Sequence, residues 1–591
     1  MEQWLRDVPL KATRGSIYDR NGVCLASNYM TYDVYVRANS VKNPVEVARF
    51  LSQMLEIDES KLLEKVCDKS QSEVLIKTQV EEAVAKKIIE KNLEGVVFSM
   101  NNKRHYTYGD FLTQVMGYTR IDGVGQSGLE AYYNEALTGI DGKILSEGDV
   151  IGRNISRNLT YYQDAISGLN LNITIDCEIQ NIVENVLDRI VLEQNCKNAI
   201  CVVMNPNTFE VLAMSTKNSF NLNDVPRDDV ALLNELSKNY PVVNVVEPGS
   251  TFKLITLSAA LELGLTNEEE TFYCPGYRIV DGQKIKCWKT TGHGHQTLTE
   301  GVCNSCNCVF MDLAQRVGTK RLYEYIEKFG FGGKTGIDCF AESSGILMKE
   351  ENVKNVDLAR IGFGHAIAVT PIQLICAVCS IVNGGTLLTP YLVSSISNDL
   401  QVVKNFESEV KNKTISQETS NIIKNMMKAV VEHADGANAK IAGYQIGGKT
   451  GTAQKYENGV IAQGKYVSSF VGFGPFENAE FAVLVMVDEP SNGAYYGSIV
   501  AAPYAKEIFR QIFEIKNIEK MEDDSDELTC VMPDVVGKNV ADAISLIKKA
   551  GLYCEVDGDA TFVVEQLPRA GTMLRPGSVV LIKLGEKESS A

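Results

Sequence analysis

No run of about 18 apolar residues occurs, so no segment reads as a membrane-spanning helix. Met1-Glu2-Gln3-Trp4 opens the sequence without the pattern of a signal peptide. Positive charge is in deficit: 58 Lys and Arg face 75 Asp and Glu, for a formal net charge of −17. A protein that grips phosphate backbones needs a basic footprint, so nucleic acid is not an expected partner. Collagen-like and coiled-coil compositions are absent. Histidine is scarce, at five residues, so two that fall together stand out. Cysteine is not scarce, but its count of 15 is odd and is spread over 591 residues. That excludes a small disulfide scaffold and complete pairing within one chain.

Hydrophobic residues make up 45% and charged residues 23%, which is ordinary for folded globular protein. The length suggests about three to six domains. Residues 1–165 are polar, with short β-like runs such as Asp33-Val34-Tyr35-Val36, amphipathic helical stretches (Val45 to Leu55, Val80 to Lys91) and glycine turns. At Leu169 to Ile175 apolar and polar residues alternate strictly, as in a half-buried strand, and a helix is expected over 176–192. Two apolar runs, Ile200 to Met204 and Glu210 to Met214, flank Asn205-Pro206-Asn207 and predict a hairpin. A second hairpin is expected at Phe470 to Gly474 and Phe481 to Asp488. Residues 166–515 therefore read as one large α/β-type domain. Glu519 to Glu527 is acidic and poor in apolar residues, so 516–529 reads as a linker. A small αβ module follows at 530–586, with a helix over Val540 to Ala550 and strands near Tyr553 to Val556 and Val579 to Leu584.

Three short motifs carry chemistry. In Ser250-Thr251-Phe252-Lys253 the hydroxyl and amine are three residues apart and share a face if they open a helix, as Pro248-Gly249 before them suggests. Burial and nearby cations lower a lysine pKa, so such a lysine can act as base on a weak nucleophile. In Ser305-Cys306-Asn307 a hydroxyl can shuttle a proton and a carboxamide can hold a substrate amide. In Lys449-Thr450-Gly451-Thr452 a strand can bind a carboxylate through one charge and its hydroxyls, while glycine permits close approach. A second Lys-Thr-Gly, at Lys334-Thr335-Gly336, lies in a Gly-rich segment and reads as a turn.

In this order the three motifs resemble those of penicillin-binding proteins and class A β-lactamases. The resemblance extends to class B penicillin-binding proteins through Arg14-Gly15-Ser16-Ile17-Tyr18-Asp19-Arg20-Asn21-Gly22, through Gly128-Leu129-Glu130 with Tyr133-Asn134, and through Gly362-Phe363-Gly364, Thr370-Pro371-Ile372-Gln373 and Asn383-Gly384-Gly385. The segment from Met532-Pro533-Asp534-Val535 to Pro576-Gly577-Ser578 resembles a PASTA domain, and one such module after one transpeptidase resembles the family's sporulation branch. The resemblance implies a mixed α/β (α+β) multidomain protein. Residues 1–165 would be an elongated pedestal or dimerisation domain, 166–515 a transpeptidase domain with an antiparallel sheet flanked by helices, and 530–586 the PASTA domain. It implies a serine D,D-transpeptidase without a glycosyltransferase domain, needing no catalytic cofactor. Its substrates would be peptidoglycan stem peptides ending in D-Ala-D-Ala, its inhibitors β-lactams, and its partner a polytopic glycosyltransferase. Ser250 would be the nucleophile and Lys253 its base. Ser305 would relay protons, Asn307 orient the acyl group, and Lys449, Thr450, Gly451 and Thr452 bind the terminal carboxylate. Backbone N–H groups of Ser250 and Thr452 would form the oxyanion hole. Family members carry an N-terminal membrane helix before the Arg-Gly block. Only 13 residues precede Arg14, so an anchor upstream of this sequence and an extracytoplasmic catalytic domain are expected.

Between the first two motifs lie Cys274, Cys287-Trp288 and His293-Gly294-His295. Cys274, Cys287, His293 and His295 form a candidate structural zinc set, with Cys303, Cys306 and Cys308 as competing ligands. Simple packing cysteines and a disulfide are the alternative readings. For the whole chain, the alternatives to a sporulation transpeptidase are a septal or elongation transpeptidase, a D,D-carboxypeptidase or β-lactamase, and a wall-binding scaffold or β-lactam sensor.

Overall fold

The structure is a computed structural model that describes residues 4–148, 154–434, 436–457, 460–521, 530–558, 560–574 and 576–586. The acidic run expected as a linker lies largely outside the described residues. The chain forms two compact units. One comprises Met1–Ile173, Phe220–Leu233 and Val393–Phe406; the other comprises Thr174–Ser219, Asn234–Leu392 and Glu407–Ala591.

The first unit centres on a seven-stranded sheet. Its longest pairing joins Cys24–Val36 to Val96–Tyr106, antiparallel. Helices Pro44–Leu55 and Glu59–Cys67 cover it, capped by Asn43 and Asp58, and bury Leu51, Leu55, Leu62 and Val66 against Val34 and Val36. Two of the quoted motifs meet here. Glu130, fully buried, accepts from Arg14 Nε at 2.6 Å and from Arg104 Nε at 2.7 Å, and Arg14 also reaches Asn134 Oδ1 at 2.9 Å. The alternating stretch at 169–175 forms strand Asn170–Ile173, which belongs to this sheet and pairs with Val393–Ser397.

The second unit begins with α1 (Cys177–Gln194), capped by Asp176, followed by β1 (Asn198–Met204) and β2 (Val211–Thr216), the expected hairpin. Next come α2 (Lys253–Glu262), α3 (Leu298–Cys303), α4 (Asn307–Val317), α5 (Pro371–Val382) and α6 (Gln417–His433). Then β3 (Gly447–Glu457), β4 (Val460–Gly474) and β5 (Phe481–Asp488) complete the sheet, and α7 (Ala502–Ile515) returns across it. The sheet runs in the order β2-β1-β5-β4-β3 and is antiparallel throughout. Ile179, Val183 and Leu187 of α1 and Ile508, Phe509 and Phe513 of α7 pack with Val203, Val483 and Val485 in one core. Helix α5 lies against β1, β4 and β5, and all of its residues are buried, in keeping with a sequence in which only Gln373 and Ser380 are polar.

The C-terminal module packs α8 (Val540–Lys549) on β6 (Tyr553–Asp557), β7 (Phe562–Leu567) and β8 (Val579–Gly585). Strand order is β6-β8-β7, so β7, unrecognised in the sequence, forms one edge. Alternation along β8 has two uses. Val580 and Ile582 fill the module's own core, whereas Leu581 joins the core of the large sheet. Asn438 Nδ2 donates to the Val579 carbonyl at 3.2 Å and to that of Ser498 at 2.8 Å, so the module is docked at the short helix Gly497–Val500, which itself contacts β3 and β4.

Candidate active site

Ser250 sits in a 3-10 turn, Gly249–Phe252, that leads straight into α2. Gly249 has φ +55°, and a Cβ there would stand 3.0 Å from the Thr452 carbonyl oxygen. Glycine therefore sets how closely this turn approaches β3. The spacing of three residues brings Lys253 Nζ to 3.0 Å from Ser250 Oγ. Lys253 is buried, and its Nζ also lies 2.5 Å from the Ser305 carbonyl oxygen, 2.8 Å from Asn307 Oδ1 and 3.2 Å from Ser305 Oγ. The two carbonyl-type oxygens can only accept, so each takes an N–H.

Ser305 lies between α3 and α4 at φ +48°, a left-handed conformation uncommon for serine. Its hydroxyl is thereby turned between two lysines, for Lys449 Nζ of β3 donates to the same Oγ at 3.0 Å. Asn307 follows as the first residue of α4. On β3, a Cβ at Gly451 would meet Ser469 Oγ at 2.5 Å and Thr251 Cγ2 at 3.0 Å, so glycine lets this strand lie on the serine turn. Thr452 Oγ1 accepts from the Gly497 N–H at 3.0 Å. The groups border a cleft of about 340 Å³ lined by Ser250, Ser305, Asn307, Thr450, Gly451 and Thr452, among others. Lys334-Thr335-Gly336 is a loop closed on Glu342, whose carboxylate accepts from the Thr335 N–H at 2.5 Å and the Gly336 N–H at 3.0 Å.

Several lining residues had no motif to announce them. Tyr466 lies on β4, Tyr495, Tyr496 and Ser498 follow the sheet, and Glu555 comes from the C-terminal module. His365, another, lies 2.9 Å from the Glu247 carboxylate. Both residues adjoin motifs that were legible, Glu247 before Pro248-Gly249 and His365 after Gly362-Phe363-Gly364.

Family models match at three places: the penicillin binding protein transpeptidase domain over residues 199–513, the penicillin-binding protein dimerisation domain over 9–173 and the PASTA domain over 531–586. This chain belongs to the class B penicillin-binding proteins. It is 38% identical to stage V sporulation protein D of Bacillus subtilis, over 99% of this chain and 92% of that protein. It is 29% identical to the probable peptidoglycan D,D-transpeptidase PenA of Neisseria gonorrhoeae, over 85% and 84% of the two chains. Among solved structures, a peptidoglycan synthetase from Bifidobacterium adolescentis matches with a TM-score of 0.72 at 26% identity, covering 88% of this chain and 99% of that one. Penicillin Binding Protein 2X from Streptococcus thermophilus shares the fold with a TM-score of 0.71 at 23% identity, covering 98% and 91%. The matched regions include no glycosyltransferase domain.

In this penicillin-binding protein the sulfur cluster differs from the expected Cys274, Cys287, His293 and His295. The structure gathers Cys274, Cys287, Cys306 and Cys308, all buried, with their sulfurs within 4.8 Å of one another. Strand geometry explains the loss of His295. Thr271–Cys274 pairs with Gly294–Thr297 in a register that sets Tyr273 opposite His295 and Cys274 opposite Gly294. Side chains alternate between faces, so His295 lies on the face away from Cys274, exposed and 4.9 Å from the Tyr273 ring. His293 stays near, with Nδ1 at 3.8 Å from Cys287 Sγ, but outside the quartet. Cys306 and Cys308 flank Asn307 at the start of α4 and complete the set. Hydrogen bonds from the Cys306 and Cys308 thiols hold Cys287 far below its ordinary pKa, and Cys287 in turn pushes Cys306 up to about 12. All 15 cysteines are free thiols. Among the described residues no helix is long and apolar enough to cross a membrane.

Proposed function

We propose that Ser250, Lys253, Ser305, Asn307 and Lys449 are the catalytic residues of a peptidoglycan D,D-transpeptidase, and that Thr450, Gly451 and Thr452 bind its donor substrate. The observation that carries this is one hydrogen-bonded chain from Ser250 Oγ through Lys253 Nζ and Ser305 Oγ to Lys449 Nζ, with links of 3.0, 3.2 and 3.0 Å. Ser250 Oγ attacks the carbonyl of the penultimate D-Ala of one stem and passes its proton to Lys253. The amide bond breaks, and Ser305 delivers a proton to the departing terminal D-Ala. Backbone N–H groups of Ser250 and Thr452 hold the oxyanion, Asn307 orients the acyl group, and Lys449 with the two threonines holds the terminal carboxylate. The amine of a second stem then displaces Ser250 and forms the cross-link. β-Lactams mimic D-Ala-D-Ala and stop at the acyl-enzyme. Intact mass after penicillin treatment, with peptide mapping, should show one adduct on Ser250. Adduct formation on Ser250→Ala protein would refute the assignment.

The likeness to stage V sporulation protein D over 99% of the chain supports a role in sporulation wall synthesis. A strain lacking the protein should divide normally and fail to form heat-resistant spores.

The four thiols fit a structural zinc. A Zn–S distance of about 2.3 Å gives a tetrahedral S···S edge of roughly 3.8 Å, which sulfurs gathered within 4.8 Å reach with small shifts. A closed tetrathiolate leaves no place for a catalytic water, so the ion would tie the loop at Cys274 and Cys287 to the start of α4, where Ser305 and Asn307 sit. Metal analysis of purified protein should give about one zinc per chain, lost in Cys308→Ser. Metal-free protein that keeps its melting temperature would remove the ion from this account.

A further inference from the structure

We propose that Glu555, carried by the C-terminal module, binds the amine of the acceptor stem. The inference rests on the transpeptidase reading and identifies its second substrate site.

Among the described residues that line the active-site cleft, Glu555 is the sole carboxylate. It is 6% exposed, and Ser498 Oγ donates to its Oε1 at 3.2 Å. Ser498 directly follows Gly497, whose N–H is bonded to Thr452 Oγ1 at 3.0 Å. Two residues thus connect the carboxylate to the strand assigned to the donor's terminal carboxylate. The alternation of β6 explains why the acid faces the cleft. Cys554 and Val556 pack on the module's own core, which turns Glu555 and Asp557 the other way. Asp557 Oδ1 accepts from the Tyr495 hydroxyl at 3.1 Å.

Three tyrosines border the cleft with Glu555. Tyr466 and Tyr495 stack at 4.0 Å and 11°, and Tyr495 and Tyr496 at 4.4 Å and 30°. Burial pushes the Tyr495 and Tyr496 hydroxyls above their ordinary range, so both rings are neutral phenols. Aromatic faces beside a carboxylate form the environment that selects a primary ammonium, through charge-assisted hydrogen bonds and cation–π attraction. Lys253 and Lys449 adjoin the same cleft through Ser250 and Ser305, so it holds charges of both signs. The two substrates of a transpeptidation carry that same pair of charges, a terminal carboxylate on the donor and an amine on the acceptor.

The test uses the full chain, a D-alanyl thioester as donor and a D-amino acid as amine acceptor, and reads the ratio of aminolysis to hydrolysis of the acyl-enzyme. Water carries no charge, so hydrolysis is the internal reference. Glu555→Gln should lower the ratio about tenfold by raising the acceptor KM, with kcat nearly constant, and Glu555→Asp should restore part of it. Asn438→Ala cuts a docking bond of the module without touching the carboxylate and should keep the wild-type ratio. An unchanged ratio in Glu555→Gln would overturn the proposal, and so would an equal fall in Asn438→Ala, which would assign the effect to docking. Wild-type protein that forms no acyl-enzyme would remove the transpeptidase reading itself, a separate failure.

Discussion

Ser305 is the joint between the two lysines, and replacing it separates chemistry from backbone geometry. Its Oγ accepts from Lys253 at 3.2 Å and from Lys449 at 3.0 Å. A hydrogen bond involving a charged group contributes about 1.5–3 kcal/mol. Both contacts belong to one relay, so their losses overlap rather than add. A loss of about 3 kcal/mol from the transition state slows acylation roughly a hundredfold. The carbonyl of residue 305, 2.5 Å from Lys253 Nζ, survives any substitution, so the lysine keeps an anchor. Ser305→Ala and Ser305→Gly should therefore be impaired alike in the second-order rate of labelled penicillin attachment. Their stabilities should differ. At φ +48° alanine keeps the strain of the left-handed region and glycine relieves it, so the glycine variant should be more stable by about 1 kcal/mol in denaturant titration. Acylation within threefold of wild type in both variants would refute the relay. A fast glycine variant beside a slow alanine one would show that backbone shape, and not the hydroxyl, sets the rate.

Glu130→Gln should destabilise the first unit by about 3–5 kcal/mol in an unfolding titration, because it leaves Arg14 and Arg104, 8% and 9% exposed, without their shared counter-charge. Glu262, at the end of α2, is desolvated by burial, yet bonds from Thr419 and Ser416 outweigh this and hold its carboxyl below the ordinary range. A depressed folded pKa contributes stability that is present above the unfolded value and is lost as pH falls through the folded one. The destabilisation caused by Glu262→Gln should accordingly be full at neutral pH and shrink below about pH 4, and a constant difference across that range would contradict it.

Much of the candidate site was legible because its residues are close in sequence or held by strong local rules. Ser250 and Lys253 need only a helical spacing, and the β4–β5 hairpin that supports β3 is a matter of alternation. Long-range placement was less legible. The strand Asn170–Ile173 has the right period, but nothing local says that it joins the first unit's sheet. The sulfur quartet was legible only in part, for the same reason. Cys274 and Cys287 were recognisable in their loop, whereas the choice between His295 and Cys308 depends on a strand register and on which helix end meets that loop. Glu555 had no signal, since its place at the cleft depends on the docking of one module against another.

The position of that quartet bears on the active site directly. Cys306 lies between Ser305 and Asn307, and Cys308 is the next residue of α4. Anchoring those sulfurs fixes the backbone on both sides of Asn307 and immediately after Ser305, the residue held at φ +48°. Such a conformation persists only where its surroundings over-determine it. The 3.1 Å bond from the Ser305 N–H to Val302 and the 2.9 Å bond from Cys306 to Gly301 constrain the loop from the α3 side. A metal held by the four thiols would constrain it from the α4 side, and Trp288 Nε1 ties the loop that carries Cys287 to the Asn304 carbonyl at 3.0 Å. A hydroxyl that must face Lys253 and Lys449 at once tolerates little rotation. Holding both flanks of Ser305 keeps it aimed between them.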